Sequence, residues 1–393
     1  MKRKTVLAFV VFAVFILTSC VFPPHSNYLP SGTAKALTAA ATLLPAIETA
    51  TPVSAQVTEL PVLTSTTEVV STDTPVMVQT PPVISYPPDI SPSNYMDDRS
   101  TAAALILSYY NAVNKQEYLR AYSYWGDPAN SVGSFDAFTN GYLDTDSVGV
   151  VVGQISDEGA AGSIYYTVPV VLNVTTTDQA QHKYKACYVV HLTQPGNYGA
   201  PPISPMNIFN GTAKSISLGT SDADALASAC SGTDYPTNGN PSLPGVESLT
   251  DLSYANYIDN RSGALELISS YFNALNRMEL VRAYSYWKSN VPAYTDFETA
   301  YTDWGQVATV TFGETFSDAG AGQMYFTTPV VFSRTLADNS TRLQSACFVM
   351  HLSQPTFQAS PPFEPLGITS LTFSSEVASS DPLVLLASAC PQP

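Results

Sequence analysis

Residues 105–125 read LILSYYNAVNKQEYLRAYSYW, and residues 267–287 read LISSYFNALNRMELVRAYSYW. In the first, Ala102, Leu105/Ile106, Tyr109 and Ala112/Val113 recur at the spacing of one helical face. Ala264, Leu267/Ile268, Tyr271 and Ala274/Leu275 do the same in the second. Asp98 and Asn260 stand where N-caps are expected. A short second helix should carry Arg120–Trp125 and Arg282–Trp287, and a third should begin near Phe135 and Phe297.

Matched positions of the two stretches lie 162 residues apart as far as Phe135/Phe297 and 160 apart beyond. The shorter offset holds for Pro169/Pro329, Cys187/Cys347, His191/His351, Pro201-Pro202/Pro361-Pro362 and Cys230/Cys390. Such dense identity means an internal duplication. The repeats span 97–230 and 259–393, joined by a Gly/Pro/Ser/Asn-rich linker, 231–258. Downstream of the helices, Ile164, Tyr166, Val168, Val170 and Leu172 alternate with more polar neighbours, as do Met324, Phe326, Thr328, Val330 and Phe332. Another strand sets Tyr188, Val190 and Leu192 on one face and Cys187, Val189 and His191 on the other. Helices followed by long antiparallel strands define an α+β class with helices on one sheet face.

The two quoted stretches, each followed by long hairpin strands, resemble the nuclear-transport-factor-2-like superfamily, also called SnoaL-like or cystatin-like. That resemblance implies two tandem cone-shaped domains, each with N-terminal helices packed on a curved antiparallel sheet around an internal pocket. It also implies an alternative function, an enzyme of the isomerase, dehydratase or cyclase type with acid/base groups inside the cone. A departure is the Pro-rich excursion 195–205 (355–365), where many family members have a tight turn.

Upstream, Lys2, Arg3 and Lys4 precede an apolar run that ends in Leu17-Thr18-Ser19-Cys20. A basic start, a short apolar run and small residues define a secretory signal, and the ending resembles the lipobox of bacterial lipoproteins. Residues 1–19 are then removed and Cys20 is lipidated. The apolar run is shorter than the ~20 residues needed to span a bilayer. Between Cys20 and residue 96 lies a segment with twelve prolines, twelve threonines and six charged residues, expected to be a disordered, extended stalk. The whole chain has 393 residues, 12% charged, with a net charge of −16, so it cannot supply the basic surface that nucleic acid requires.

If Cys20 carries lipid, four cysteines remain, and the repeat symmetry selects Cys187–Cys230 and Cys347–Cys390 as disulfides. Closing such a loop contributes about 4 kcal/mol in the chain-entropy model. A zinc site of Cys187, His191 and Cys230 lacks a fourth ligand. His191 and His351 invite a general-base role, but strand parity turns them away from the helix-facing side. Arg120 and Arg282 beside tyrosines and a tryptophan suit either an anion or cation–π site, or a core position paired with Glu117 or Glu279; helical spacing favours the core. Tyr122, Trp125, Tyr166, Tyr284, Trp287 and Phe326 are candidates to line a pocket for a sugar or small apolar ligand. Asp157, Glu158 and Asp318 flank glycine-containing hairpin turns, which explain them without calcium. No catalytic residue, metal or cofactor is assigned. The expectation is an extracytoplasmic, lipid-anchored binding or structural protein that presents its two domains to a small ligand, a wall component or a protein partner. A further alternative is a structural pairing module, in which the two repeats dock on each other as an intramolecular pseudo-dimer.

Overall fold

A computed structural model describes residues 89–232, 240–242 and 251–390. The expected signal peptide, Cys20, the stalk up to residue 88 and most of the linker lie outside the described residues. Each repeat is α+β, an antiparallel sheet packed with helices.

The first repeat runs α1 (Ala102–Asn114), α2 (Tyr118–Tyr122), α3 (Pro128–Ser131) and α4 (Phe135–Asn140). Then come β1 (Thr145–Val152), β2 (Ile155–Ala160), β3 (Ser163–Thr176), β4 (Gln181–Thr193), β5 (Asn207–Ile216) and α5 (Asp222–Ala229), with β6 (Asn240–Ser242) in the linker. The second runs α6 (Ala264–Asn276), α7 (Leu280–Ser285), α8 (Tyr294–Tyr301), β7 (Gln306–Phe312), β8 (Phe316–Gly320), β9 (Gln323–Thr335), β10 (Thr341–Ser353), β11 (Gly367–Phe373) and α9 (Pro382–Ala389). The sheets are ordered β5-β4-β3-β2-β6, with β1 also on β3, and β11-β10-β9-β7, with β8 also on β9.

The N-caps differ from expectation. Thr101 caps α1, its hydroxyl accepting from Ala104 N at 3.1 Å, and Gly263 precedes α6. Asp98 and Asn260 instead accept from Ser100 N and Ser262 N, both at 2.9 Å, which turns the chain ahead of the helix.

Pro169 and Pro329 sit inside long central strands, where a missing N–H is normally costly. Each lies where one partner strand gives way to the next. Gly153 N donates to Pro169 O and Gly313 N to Pro329 O, both at 2.8 Å. β1 pairs with the C-terminal half of β3 and β2 with its N-terminal half.

Helix α1 is buried on nearly every side. One face meets Val168, Val170, Leu172, Tyr188 and Val190 of the sheet. Tyr109 is the hub, its ring 4.8 Å from that of Tyr110 and within 6.5 Å of those of Tyr124, Trp125, Phe138 and Tyr188. Burying one such side chain contributes ~1.5–3 kcal/mol. In the second repeat Tyr271, Phe272, Phe332 and Phe348 fill the same space. The end of each helix is fastened to the sheet by an asparagine. Asn114 accepts from Val148 N at 2.8 Å and donates to Val148 O at 3.0 Å, and Asn276 does the same with Val307 at 2.7 and 2.9 Å.

The other sheet face carries the C-terminal helix of each repeat, stapled by Cys187–Cys230 and Cys347–Cys390, with Cα atoms 5.0 and 4.9 Å apart. Such bonds persist in oxidising compartments. Among the described residues no helix is long and apolar enough to cross a membrane.

The two staples do unequal work. Helix α5 is also held by buried Ala225 and Leu226. Lys183 Nζ lies 2.7 Å from Asp222 Oδ1, and Lys185 Nζ donates to Ser228 Oγ at 2.9 Å. Helix α9 has no buried residue, and positions 343 and 345 hold Leu and Ser in place of those lysines. We therefore expect Cys390→Ser to raise amide exchange across α9 by at least tenfold. Cys230→Ser should leave most α5 protection in place. Equal loss in both, read by hydrogen-exchange mass spectrometry, would contradict this account.

Candidate ligand cleft between the repeats

The cleft is built from a buried arginine outward. Glu117 immediately precedes α2 and Arg120 lies three residues further on, a spacing that brings the two side chains together. Its Nε donates to Glu117 Oε2 at 2.6 Å, its Nη2 to Asn111 Oδ1 at 2.9 Å, and its Nη1 to the Met96 carbonyl. Asn111 uses its remaining donors on Ser91 O and Asn94 O, and its Oδ1 also accepts from Met96 N. The segment before α1 is thereby clamped against the helix. Arg282, Glu279, Asn273 and Ile258 O repeat the arrangement. Residues 91–96, placed by composition at the end of the stalk, are thus bonded to α1.

The clamped segments join the repeats. Arg99 N donates to Asp259 O and Arg261 N to Asp97 O, both at 2.7 Å. Asp97 N donates to Ser262 Oγ at 2.8 Å and Asp259 N to Ser100 Oγ at 2.9 Å. Asp98 faces Asn260 across the centre. Tyr95 packs on the second core and Tyr257 on the first.

Arg99 and Arg261 flank this junction, stacked over Tyr124 at 4.4 Å and Tyr286 at 4.6 Å. They lie 3.9 Å from Asp97 and Asp259. The Pro-rich excursions form the walls. The first is pinned where Asn197 Nδ2 donates to Gly162 O at 3.1 Å; a Cβ on Gly162, whose φ is +85°, would strike that amide. Two cavities open here, of about 490 and 370 Å³. Ile203, Pro205, Arg261, Phe363 and Pro365 border both.

The halves of the cleft are not equivalent. In the first repeat Gly126 leaves room for the Asn207 amide, which a Cβ would meet at 2.3 Å. In the second the pair is exchanged: Lys288 replaces glycine, and Gly367 leaves room for its stem, 2.4 Å from where a Cβ would stand. Lys288 borders the smaller cavity together with Trp287, Phe363 and Glu364. Its Nζ is buried, makes no hydrogen bond among the described residues, and lies 3.4 Å from the carboxylate of largely exposed Glu364. Burial holds the Lys288 ammonium below its ordinary range, Arg261 adds to that, and Glu364 opposes it.

The six aromatic candidates do not converge on one pocket. Tyr122 borders the larger cavity, donating to Gly133 O at 2.8 Å with its ring against Phe135 and Phe138. Trp287 borders the smaller. Trp125 lies in the first core beside Tyr109 and Tyr188, and Tyr166 is half-buried against it. Tyr284 donates to Pro292 O at 3.0 Å and packs on Phe297, while Phe326 is half-buried against the second core. His191 stacks on Tyr165 at 4.6 Å, and burial lowers its pKa. His351 Nε2 lies 2.6 Å from Gln323 Oε1; burial and then Lys288 lower its pKa. Among the described residues no cluster of metal-ligating side chains occurs.

Sequence reasoning missed Asn111/Asn273, Arg99/Arg261 as cleft residues, and Lys288. The asparagines were readable as polar residues recurring with Ser108 and Ser270 in otherwise apolar helices. Lys288 was readable as the first residue after the quoted stretches to depart from its copy. No protein-family model matches the chain, and a search of the curated proteins finds no match.

Asp98 gives the junction a pH dependence. Burial raises its carboxyl to about 6, Asp259 and Asp97 add to the rise, and hydrogen bonds from Ser100 oppose it. A carboxyl raised in the folded state binds more protons folded than unfolded between roughly pH 4 and 6. Its contribution is therefore most favourable below pH 4 and is lost as the pH rises through 6. Asp98→Asn keeps the acceptor for Ser100 and copies Asn260. It should raise the unfolding free energy by about 2–3 kcal/mol at pH 7.5 and change it little at pH 3.5. Equal effects at both pH values in urea titrations would contradict this assignment.

Proposed function

We propose that this chain is an extracytoplasmic, lipid-tethered binding protein that holds a small anionic ligand with an apolar body in the cleft between its two repeats. The observation that carries this reading is the contrast between filled repeats and an open junction. Aromatic side chains occupy the space between helix and sheet in both cores, whereas the junction holds cavities of about 370 and 490 Å³. Small-molecule sites are concave and mostly apolar with a few placed polar groups. Ile203, Pro205, Trp287, Phe363 and Pro365 supply the walls; of the charged groups that border it, Arg261 and Arg282 already face Asp259 and Glu279, and Lys288 is the cation left for a ligand. A buried ammonium without a hydrogen bond favours an acceptor that completes it. A ligand carboxylate or phosphate would displace Glu364.

The superfamily resemblance fits this role without an acid/base site. In our reading each repeat is a cone-like member of that fold whose interior is filled, and the reciprocal bonds of residues 97–100 and 259–262 support docking of the repeats as a pseudo-dimer. The tether rests on the lipobox-like ending at Cys20, and the two disulfides favour an oxidising location.

The ligand class is tested by titrating the purified protein with a panel of aromatic and aliphatic carboxylates and their amides, read by tryptophan fluorescence. Acids should bind about tenfold or more tighter than amides, as expected for a charge-assisted hydrogen bond. Lys288→Met should abolish the preference. Binding of neither class would overturn the cleft as a site, and equal binding would overturn its anionic class. The tether is tested separately: Cys20→Ala should remove incorporation of labelled palmitate and release the protein from the membrane fraction.

A further inference from the structure

We infer that the outer edge of β8 is a docking site for an extended, uncharged, proline-containing segment of a partner protein, added to the sheet as an antiparallel strand. This surface is independent of the cleft, and the first repeat supplies its template. β2 and β8 occupy equivalent places, Ser156 pairing with Thr167 and Phe316 with Thr327. The outer edge of β2 is covered by β6, with Ile155 opposite Ser242, Ser156 opposite Pro241 and Asp157 opposite Asn240. Pro241 has no N–H, so Ser156/Pro241 is a non-hydrogen-bonded pair, and Ile155 and Asp157 turn their backbone groups toward β6. By the repeat offset, Thr315 and Ser317 turn theirs outward in the second repeat.

Among the described residues no strand covers the outer edge of β8, and all five of its residues are exposed. Proteins ordinarily blunt such an edge. Here the neighbouring surface is instead more apolar than its copy. Ala223 and Asp224 of α5 correspond to Leu383 and Val384 of α9, which are 70% and 64% exposed. A groove of about 620 Å³ lies beside them, lined by Phe316, Pro329, Val349, Leu383 and Leu386. An unpaired edge beside an apolar groove is the arrangement that captures strands, the main chain giving affinity and the groove taking a side chain. The occupant's character follows from the template and the charges. The segment on β2 is Asn240-Pro241-Ser242, and Glu314 and Asp318 border the β8 site, so an acidic segment is disfavoured.

The probe is a fluorescein-labelled peptide of residues 238–245, Asn-Gly-Asn-Pro-Ser-Leu-Pro-Gly, added to the full chain. Anisotropy should report saturable binding, and Thr315 and Ser317 amides should exchange at least tenfold more slowly with peptide bound. Ser317→Pro, which removes an outward N–H and leaves pairing with β9 intact, should weaken binding at least tenfold. Leu383→Asp should weaken it while leaving the circular dichroism unchanged. Absence of binding, or binding indifferent to both variants, overturns the proposal. Protection of Thr315 and Ser317 that grows with protein concentration alone, together with a dimer mass, would assign the edge to a second copy instead.

Discussion

The guanidinium of Arg120, duplicated at Arg282, is the group on which the rest of the molecule depends. It is fully buried, and a buried charge survives only when its hydrogen-bonding capacity is met. Glu117 neutralises it, Asn111 positions it, and the Met96 carbonyl brings in the chain ahead of α1. That last bond sets the path of residues 95–99, and those residues make the junction between the repeats. Removing one member of such a set typically costs about 3–5 kcal/mol because the remaining charge is stranded. Core, junction and cleft are thus one continuous hydrogen-bonded construction, with the aromatic cluster around Tyr109 packed on its other side.

Against that shared frame, the repeats have diverged at a small number of places, each with a physical consequence. Gly126 with Asn207 becomes Lys288 with Gly367, and the exchange conserves space because each glycine vacates the volume its partner fills. Asp98 becomes Asn260, so the first repeat brings one more carboxyl to the junction than the second, beside the buried Asp97 and Asp259. The acidic, well-anchored α5 becomes the apolar, exposed α9. Symmetry accounts for the shared frame, and its local failures shape the cleft and the two C-terminal helices.

Much of the fold was legible because it rests on short-range pattern. The 3.6-residue spacing of Leu105, Tyr109 and Ala112, the alternation from Ile164 to Leu172 and the matched cysteines each follow from local geometry. The Glu117–Arg120 pair was readable for the same reason, since three residues along a helix bring side chains together. The capping assignment failed because Asp98 has a nearer use for its side chain, the Ser100 amide. Pocket-lining was assigned from aromatic character alone, and that character does not distinguish Trp125, packed under Gly211, from Trp287, which borders a cavity.

That the chain is duplicated, α+β and stapled once per repeat follows from its repeats, periodicity and cysteine spacing, which are properties of the chain taken in order. Packing in three dimensions alone set Arg99 and Arg261 on the flanks of one cleft and Lys288 within it, without a hydrogen bond among the described residues. It also decided that, among the described residues, a strand covers the outer edge of β2 and none covers that of β8. Each of these depends on segments separated by more than seventy residues meeting in space. Such meetings follow from the satisfaction of buried polar groups and the filling of volume, which no local window of sequence records.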